Sequence, residues 1–466
     1  MLKVALHNLG CKVNSYELDV IQQELQKKGY TIVPFDDMAD VYIINTCTVT
    51  NIADRKSRQM LHQAKKRNQA SIVVAVGCYV QTGMEQVITD AGIDLAIGNN
   101  KKKEIVPILE TYLQQRKSNE VVDKTLGHTS VLDMDETFEY EQMQLEHTAQ
   151  HTRAYIKIQD GCNQFCAYCI IPFARGRVRS RHLEDIKAEI TNLAQAGYKE
   201  VVLTGIHISS YGIDFEDDAW ERGLCVDKPQ EKTRHDYSGR TKLMELVSRI
   251  HDIEGIERIR LGSLEPRIVT TESANLLKSL TKVCPHFHLS LQSGCDTTLE
   301  RMRRRYTTEE FRRSVEALRK AYVNPAITTD VIVGFPGETQ EEFEQTRLYL
   351  EDIKLYEMHI FKYSIRQGTA AAKMKGQLTD SIKTERSSIL QTINCAHGQA
   401  FRSLFLNEKV LVLFEEEKVM DGKIYQIGHT REYIKVAVET DEQLINQIKS
   451  VSFTGEFLGE MMIAEK

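Results

Sequence analysis

The run DGCNQFCAYC, residues 160–169, carries Cys162, Cys166 and Cys169 in the spacing CxxxCxxC. Three thiolates on one tight loop can hold three irons of a cubane cluster and leave the fourth iron a coordination position open to a ligand. Such an iron is a place for chemistry. Zinc is the bland alternative, but a structural zinc site closes with four Cys or His ligands, and no CxxC or HxxxH pair stands nearby to complete one. A second set is spread over the first part of the chain, where Cys11, Cys47 and Cys78 follow Gly10, Thr46 and Gly77 at the ends of segments that read as strands. Parallel strands end at one common edge, so these three converge there, whereas core cysteines fall in mid-strand. That placement predicts a second three-cysteine cluster site. Cys225, Cys284, Cys295 and Cys395 have no ligand spacing and read as ordinary thiols.

Elements must bring these residues together. KVALHNLG, a helix through residues 18–28, VYIINTC, a helix through 55–67, SIVVAVGC and DLAIG alternate strand and helix, which predicts a small doubly wound parallel sheet. Residues 117–151 are polar and acidic around DMDETFEYEQ, the composition of a linker or loose crossover. Strand patterns then recur at 155–159, 200–203, 258–261, 286–291, 328–333 and 358–361. Apolar helical periods at 186–196, 243–250, 311–321 and 343–350 fill several gaps. Six such repeats suit a partial, TIM-like (β/α)6 barrel, with the CxxxCxxC loop at the carboxyl end of its first strand. Residues 213–240 break the rhythm and read as a surface insertion. After a helix reaching residue 406, VLVLFEEE, YIKVAVE and SVSFTGEFLGEMMIAE alternate around turns such as Asp421-Gly422, the pattern of a small all-β barrel. The fold class is thus α/β, with expected units at 1–114, 115–147 (linker), 148–400 and 401–466.

With 466 residues, 41% of them hydrophobic and 27% charged, the chain has the makeup of a soluble protein. No targeting segment or membrane-length apolar run stands out, so a cytoplasmic location without membrane contact is expected. A net charge of −6 argues against a protein that coats nucleic acid indiscriminately. Local basic runs exist all the same. DRKSR (54–58) and ARGRVRSR (174–181) lie beside the two cysteine sets, and KKR (65–67) and RMRRR (301–305) add to them.

The CxxxCxxC loop resembles that of the radical S-adenosylmethionine enzymes. GCKVNSYELD, INTCTVT, VGCYVQ, DGCNQFCAYCIIPFARG, VVLTGIH, SLEP, LSLQSG and DVIVGFPGET together resemble the successive motifs of the methylthiotransferases over essentially the whole chain. The terminal module is similar to the TRAM domain, a nucleic-acid-binding fold. The resemblance implies two 4Fe-4S clusters, on Cys11, Cys47 and Cys78 and on Cys162, Cys166 and Cys169. It implies that the barrel cluster reductively cleaves S-adenosylmethionine to a 5′-deoxyadenosyl radical, and that the other cluster holds the sulfur inserted into an unactivated C–H bond. An inert C–H bond needs such a radical, protected from water. By the same analogy Gly205, Ser263, Glu265, Gln292 and Ser293, at strand ends, and Tyr168, between two cluster ligands, contact S-adenosylmethionine. VGFPGE lacks the spacing of a nucleotide-triphosphate loop.

Members of that family modify a tRNA adenosine beside the anticodon or an aspartate of a ribosomal protein. NTCTVTNIADRKSRQ and CIIPFARGRVRSR look like the branch acting on N6-threonylcarbamoyladenosine, immediately 3′ of the anticodon, rather than the isopentenyladenosine branch. Arg55, Lys56 and Arg58 beside one cluster, and Arg177, Arg179 and Arg181 beside the other, are then candidates for anticodon-loop phosphates. Arg177 and Arg179 are also candidates for the threonyl carboxylate. An electron-donor protein and a sulfur donor, neither identified, complete the expected partners. The insertion carrying Cys225 departs from the family pattern. A non-catalytic iron–sulfur RNA-binding protein is the rival of another class.

Overall fold

A computed structural model describes residues 2–90, 92–118, 129–134, 136, 137, 139–146, 152–215, 241–406 and 408–465. Most of the expected insertion, with Cys225, lies outside them. The N-terminal unit runs β1 (Lys3–Asn8), α1 (Lys12–Lys27), β2 (Thr31–Val33), β3 (Val41–Thr46), α2 (Asn51–Arg67), β4 (Ile72–Gly77), α3 (Cys78–Thr82), α4 (Met84–Thr89), β5 (Leu95–Ile97), α5 (Ile105–Lys117) and β6 (Thr129–Ser130). All its strands are parallel, in the order β2-β1-β3-β4-β5-β6. β3 and β4 are buried on both faces, which is why they read as unbroken apolar runs. α1 and α5 cover one face and α2 the other.

The described residues of the acidic segment expected as a linker are built into this unit. β6 pairs with β5, Met143 and Leu145 pack in the α1/α5 core, and Glu141 accepts from the Lys103 amide at 2.8 Å. Its few apolar side chains have no period because they dock one at a time onto a finished surface.

The second unit runs β7 (Arg153–Asp160), α6 (Ile171–Arg175), β8 (Arg179–Ser180), α7 (Leu183–Gln195), β9 (Glu200–Gly205), α8 (Lys242–His251), β10 (Arg258–Leu261), α9 (Thr271–Ser279), β11 (His286–His288), α10 (Asp296–Arg301), α11 (Thr308–Ala321), β12 (Ala326–Val333), α12 (Gln340–Ile353), β13 (Glu357–Lys362) and α13 (Asp380–Ser403). Two sheets, β10-β9-β7-β8 and β11-β12-β13, join through the single bridges Ile259–Val283 and Leu264–Leu289. The result is an open barrel of six parallel strands, with β8 antiparallel at its free edge. Ala154, Ile156, Ile158, Val201, Leu203, Ile259, Leu261, Phe287 and Leu289 belong to the outer core against the helices. Strand alternation therefore turns Arg153, Lys157, Gln159, Glu200, Arg260, His286, His288 and Ser290 inward, so the interior is polar.

The last unit, β14 (Lys409–Met420), β15 (Lys423–Thr430), β16 (Lys435–Glu439), β17 (Ile448–Leu458) and β18 (Met461–Glu465), closes as β14-β15-β16-β18-β17. Asp421 and Gly422, both at positive φ, make the expected tight hairpin turn. This small barrel plugs the amino-terminal mouth of the large one. Arg258 donates to the His429 and Leu411 carbonyls at 3.0 and 2.8 Å, Arg260 to that of Arg431 at 3.0 Å, and Tyr433 stacks on His286. Arg153 pairs with Glu415 at 3.2 Å. Among the described residues no helix is long and apolar enough to cross a membrane.

Candidate active site

Cys11, Cys47 and Cys78 follow β1, β3 and β4, at the edge where the strand order reverses and open α/β sheets bind their ligands. Their loops touch. Gly10 sits at φ +106°, and a Cβ on it would lie 3.0 Å from both Cβ and Sγ of Cys47. Burial pushes the Cys47 thiol up to about 11 and raises that of Cys11, and in both the neighbouring Cys78 thiol adds to the shift. Cys11 and Lys12 are accessible to solvent yet desolvated by surrounding protein, the condition of groups that line an internal cavity.

The barrel loop is equally constrained. Gly161 has φ +71°, and a Cβ there would fall 1.8 Å from the Arg177 carbonyl oxygen, so only glycine lets the cysteine loop cross that segment. The Gln164 amide points at Cys162 Sγ (3.5 Å) and Arg304 donates to Cys166 Sγ (3.0 Å). Burial raises Cys162 to about 12 and Cys169 further. Both triads are three thiols on converging loops with donors aimed at the sulfurs, Gln164 and Arg304 at one and Asn99 at the other, a set suited to a cluster whose thiolates bind different irons.

Between the two triads lies a buried ion network. Glu17 of α1 accepts from Arg175 (2.9 and 3.0 Å), Lys157 (2.8 Å) and Lys102. Asp160, just before the cysteine loop, shares Arg175 at 3.1 Å and Lys157 at 2.6 Å, and Asn14 accepts from Arg175 at 2.6 Å. Asn99 bridges Cys78 Sγ (3.5 Å) and the Ala174 carbonyl (2.7 Å). On the far side, Arg366 of the loop after β13 donates to Thr48, Asn51 and Asp54 at 2.6 to 2.8 Å, next to Cys47. The N-terminal unit is thereby clamped over the open side of the barrel, with both cysteine sets held by shared partners.

These positioning groups escaped the sequence reading. Glu17 and Asn14 sit in GCKVNSYELD, three residues apart on one helix face that also holds buried Val13 and Tyr16. Lys157 stands on the inward side of YIKIQD, and a lysine there was the available sign of a buried pair.

The residues expected at S-adenosylmethionine fall into two groups. Glu265 is buried after β10 beside His207 (3.4 Å), Arg267 (2.5 Å) and Gln164 (3.3 Å). Burial opposes its charge, but the hydrogen bond from His207 and the charges of His207, Arg267 and Arg304 hold the carboxyl at about 2. Ser263 meets Ser290 Oγ at 2.9 Å on the accessible interior. Gln292 takes φ +73°, a strained choice for a non-glycine residue, with its amide on the Asp330 carbonyl. Tyr168 packs with Phe335 and Tyr363 under the cysteine loop. Two others do different work. Ser293 is fully buried and turned outward, paired with Thr346 of α12 and the Cys295 amide, so it does not face the cavity. Gly205 is small for protein packing, since a Cβ there would sit 2.9 Å from the Gln159 carbonyl and Ile208.

The basic run after the cysteine loop also differs from expectation. Arg175, Arg179 and Arg181 are at most 1% exposed. Arg179 lies 3.8 Å from Asp160, and Arg181 is paired with Glu189. Neither Arg179 nor Arg181 can meet an RNA phosphate without being uncovered, because the chain folds back beside β7 and turns them under the loop. Arg177 alone lies outward, its guanidinium 4.4 Å from the Phe165 ring centre. Arg55, Lys56 and Arg58 are exposed on α2, directly after the Cys47 loop. A cavity of about 390 Å³ opens over Cys166 and Cys169, lined also by Phe165, Phe173, Arg303 and Lys373. On β11, β12 and β13, His288, Asp330 and His359 bring ligand atoms within 4.8 Å of one another.

An open barrel with three cysteines at its carboxyl mouth, faced by a flavodoxin-like sheet with three more, defines a radical S-adenosylmethionine enzyme with a second cysteine site. The sequence pattern of the radical SAM superfamily matches residues 156–350, and that described as Uncharacterized protein family UPF0004 matches residues 3–98. The chain is 37% identical to the threonylcarbamoyladenosine tRNA methylthiotransferase MtaB of Bacillus subtilis (strain 168), over 97% of this chain and 93% of the relative. It is 41% identical to the protein of that name from Aquifex aeolicus, over 89% and 93%. A tRNA-2-methylthio-N(6)-dimethylallyladenosine synthase of Alkaliphilus oremlandii is 32% identical, over 96% and 89%. In fold it is similar to the radical S-adenosylmethionine methyltransferase TsrM of Kitasatospora setae, at TM-score 0.52 and 16% identity, over 78% of this chain and 73% of that one. The chain belongs to the radical S-adenosylmethionine methylthiotransferase family.

Proposed function

We propose that this protein inserts sulfur and a methyl group at C2 of N6-threonylcarbamoyladenosine, immediately 3′ of the tRNA anticodon, giving the 2-methylthio derivative. The observation that carries the choice of base is identity of 37% and 41% to two enzymes named for it, against 32% for the dimethylallyladenosine synthase. Cys162, Cys166 and Cys169 would hold one 4Fe-4S cluster and Cys11, Cys47 and Cys78 another, the first set on one loop and the second at three neighbouring strand ends. When bound, the barrel cluster and S-adenosylmethionine supply the radical chemistry that an unactivated C–H bond requires. The protein's part is to orient and to exclude water. Ionised Glu265, and Ser263, Gln292 and Tyr168 on other strand ends and the cysteine loop, offer polar and aromatic partners to the cofactor. The Glu17–Arg175–Asp160 network keeps both cysteine sets facing one space. An electron-donor protein and a sulfur donor are the further partners, and the cavity over Cys166 and Cys169 gives a reductant its short approach.

The test offers purified tRNAs carrying either threonylcarbamoyladenosine or isopentenyladenosine to the reduced enzyme under anaerobic conditions, with methylthio products counted by mass. Turnover of the first is expected to dominate. Faster conversion of the second overturns the choice of base.

Arg55, Lys56 and Arg58 are the proposed partners of anticodon-loop phosphates, because they stay exposed where the other basic run does not. Removing one such partner, by Arg55→Ala or Arg58→Ala, should weaken tRNA binding and lower the slope of log affinity against log salt by up to about one unit. Unchanged affinity and slope would make them ordinary solvated charges.

A further inference from the structure

Carboxylates lining the barrel are answered by arginines at most places. Glu200 is held by Arg260 at 3.0 Å, and Glu265 by Arg267 at 2.5 Å. Asp330 of β12 and Glu357 of β13 break this rule. Among the described residues neither has a lysine or arginine within ion-pair distance, and their partners are histidines, His288 at 3.4 Å and His359 at 3.9 Å. We propose that His288, Asp330 and His359 form a site for one divalent transition ion of the zinc or ferrous class, separate from both cysteine sets.

Strand geometry builds the site. Asp330 is the direct neighbour of His359 in the β12/β13 pairing, and His288 is that of Thr328 in β11/β12. Ile327, Val331 and Met358 belong to the outer core, so alternation turns Thr328, Asp330 and His359 to the interior, where His288 also points. The ligand atoms of the three lie within 4.8 Å of one another, and the two imidazoles stack at 5.7 Å with 19° between their planes. Zinc bonds of about 2.0–2.1 Å place tetrahedral ligand atoms roughly 3.3 Å apart. His288 and Asp330 already stand at that spacing, and His359, 48% exposed, is free to rotate onto the same point.

The histidines are also oriented for the task. Nδ1 of His288 meets Thr328 Oγ1 at 3.0 Å, while its Nε2 faces Asp330. With Nδ1–H donating to the threonine, a nitrogen lone pair and a carboxylate oxygen confront each other, which a cation between them relieves. A ligating histidine ordinarily gives its other N–H to such a partner, and Glu357 beside Nδ1 of His359 can serve in the same way. Two imidazoles and one carboxylate are a donor set that zinc and ferrous iron accept, with coordination positions left open. Those positions face the barrel interior. His286, two residues before His288, is covered by Tyr433 of the plug, whereas Ser290, two residues after it, meets Ser263 on the accessible wall. An ion held here therefore sits above the plug and below the residues offered to S-adenosylmethionine.

The experiment uses the full chain after iron–sulfur reconstitution, with the cluster cysteines occupied. It is dialysed anaerobically to equilibrium against buffered micromolar zinc, and zinc and iron per chain are read by mass spectrometry. About one zinc per chain should be retained with no loss of iron, and X-ray absorption at the zinc edge should show nitrogen and oxygen at about 2.0–2.1 Å without sulfur at about 2.3 Å. His359→Ala and Asp330→Asn should each weaken zinc binding by more than about 100-fold at unchanged iron content. Thr328→Val, which removes only the partner of Nδ1, should weaken it by roughly 10- to 100-fold. Iron content and circular dichroism show that each variant is folded, and His359→Ala, at an exposed position, keeps the test open if Asp330→Asn does not fold. No retained zinc, zinc that enters as iron leaves, a sulfur shell, or affinity unchanged in His359→Ala would each overturn the site.

Discussion

Glu17→Ala will lower the stability of the folded protein by roughly 3–5 kcal/mol, the usual cost of removing one partner from a buried ionic cluster. Glu17 is 1% exposed and meets three cations, each as buried as itself. Asp160 can still answer Arg175 and Lys157, but among the described residues no other carboxylate lies within ion-pair distance of Lys102. The damage reaches past stability, because Glu17 on the N-terminal unit and Arg175 on the barrel are each other's tie. Glu17→Gln keeps the shape and should cost less, yet it still leaves Lys102 facing a neutral group. Chemical denaturation followed by circular dichroism measures the loss. Burial opposes the charge on Glu17, but Arg175, Lys102 and Lys157 outweigh it and hold the carboxyl well below its ordinary value of 4.5. A depressed folded value means that its stabilisation is present above 4.5 and is lost as pH falls toward the folded value, so Glu17→Gln should also remove that share of acid sensitivity. A midpoint within experimental error of the unaltered protein would show that the network carries no net stability.

The second large effect concerns catalysis. Replacing Cys162, Cys166 and Cys169 together by Ala should halve the iron of the reconstituted protein and abolish cleavage of S-adenosylmethionine. Replacing Cys11, Cys47 and Cys78 should also halve the iron, but cleavage should persist while methylthiolated tRNA disappears. The two outcomes are separable because each triad sits on its own loops, although the network joins them. Iron analysis, 5′-deoxyadenosine assay and mass spectrometry of tRNA read the three quantities. Normal product from the Cys11, Cys47, Cys78 variant would remove that site from the reaction.

The convergence of the cysteines was legible because a strand end is a place, and spacing along a parallel sheet fixes where such places meet. The barrel was legible for the same reason, since its outer strand faces are continuously apolar and its helices keep their period. What the sequence hid was the fate of charge. ARGRVRSR looks alike at four arginines, yet one stacks on Phe165 and three are buried, and which is which depends on Asp160 and Glu189 arriving from other elements. Ser293 misled for a related cause, because a polar residue after a strand can turn toward the cavity or toward the helix behind it. Residues 129–146 lacked period because they borrow a surface instead of building one.

The plug at the lower mouth of the barrel sets an order of events during synthesis. Arg258 is made 153 residues before Leu411 and 171 before His429, whose carbonyls receive its guanidinium. At about 5–20 residues per second, the floor of the reaction chamber stands open for roughly 8 to 35 s on every ribosome. A nascent chain released before residue 409 would lack the whole plug. It would leave Arg258 and Arg260 without the carbonyls that receive them and the floor of the barrel open to water.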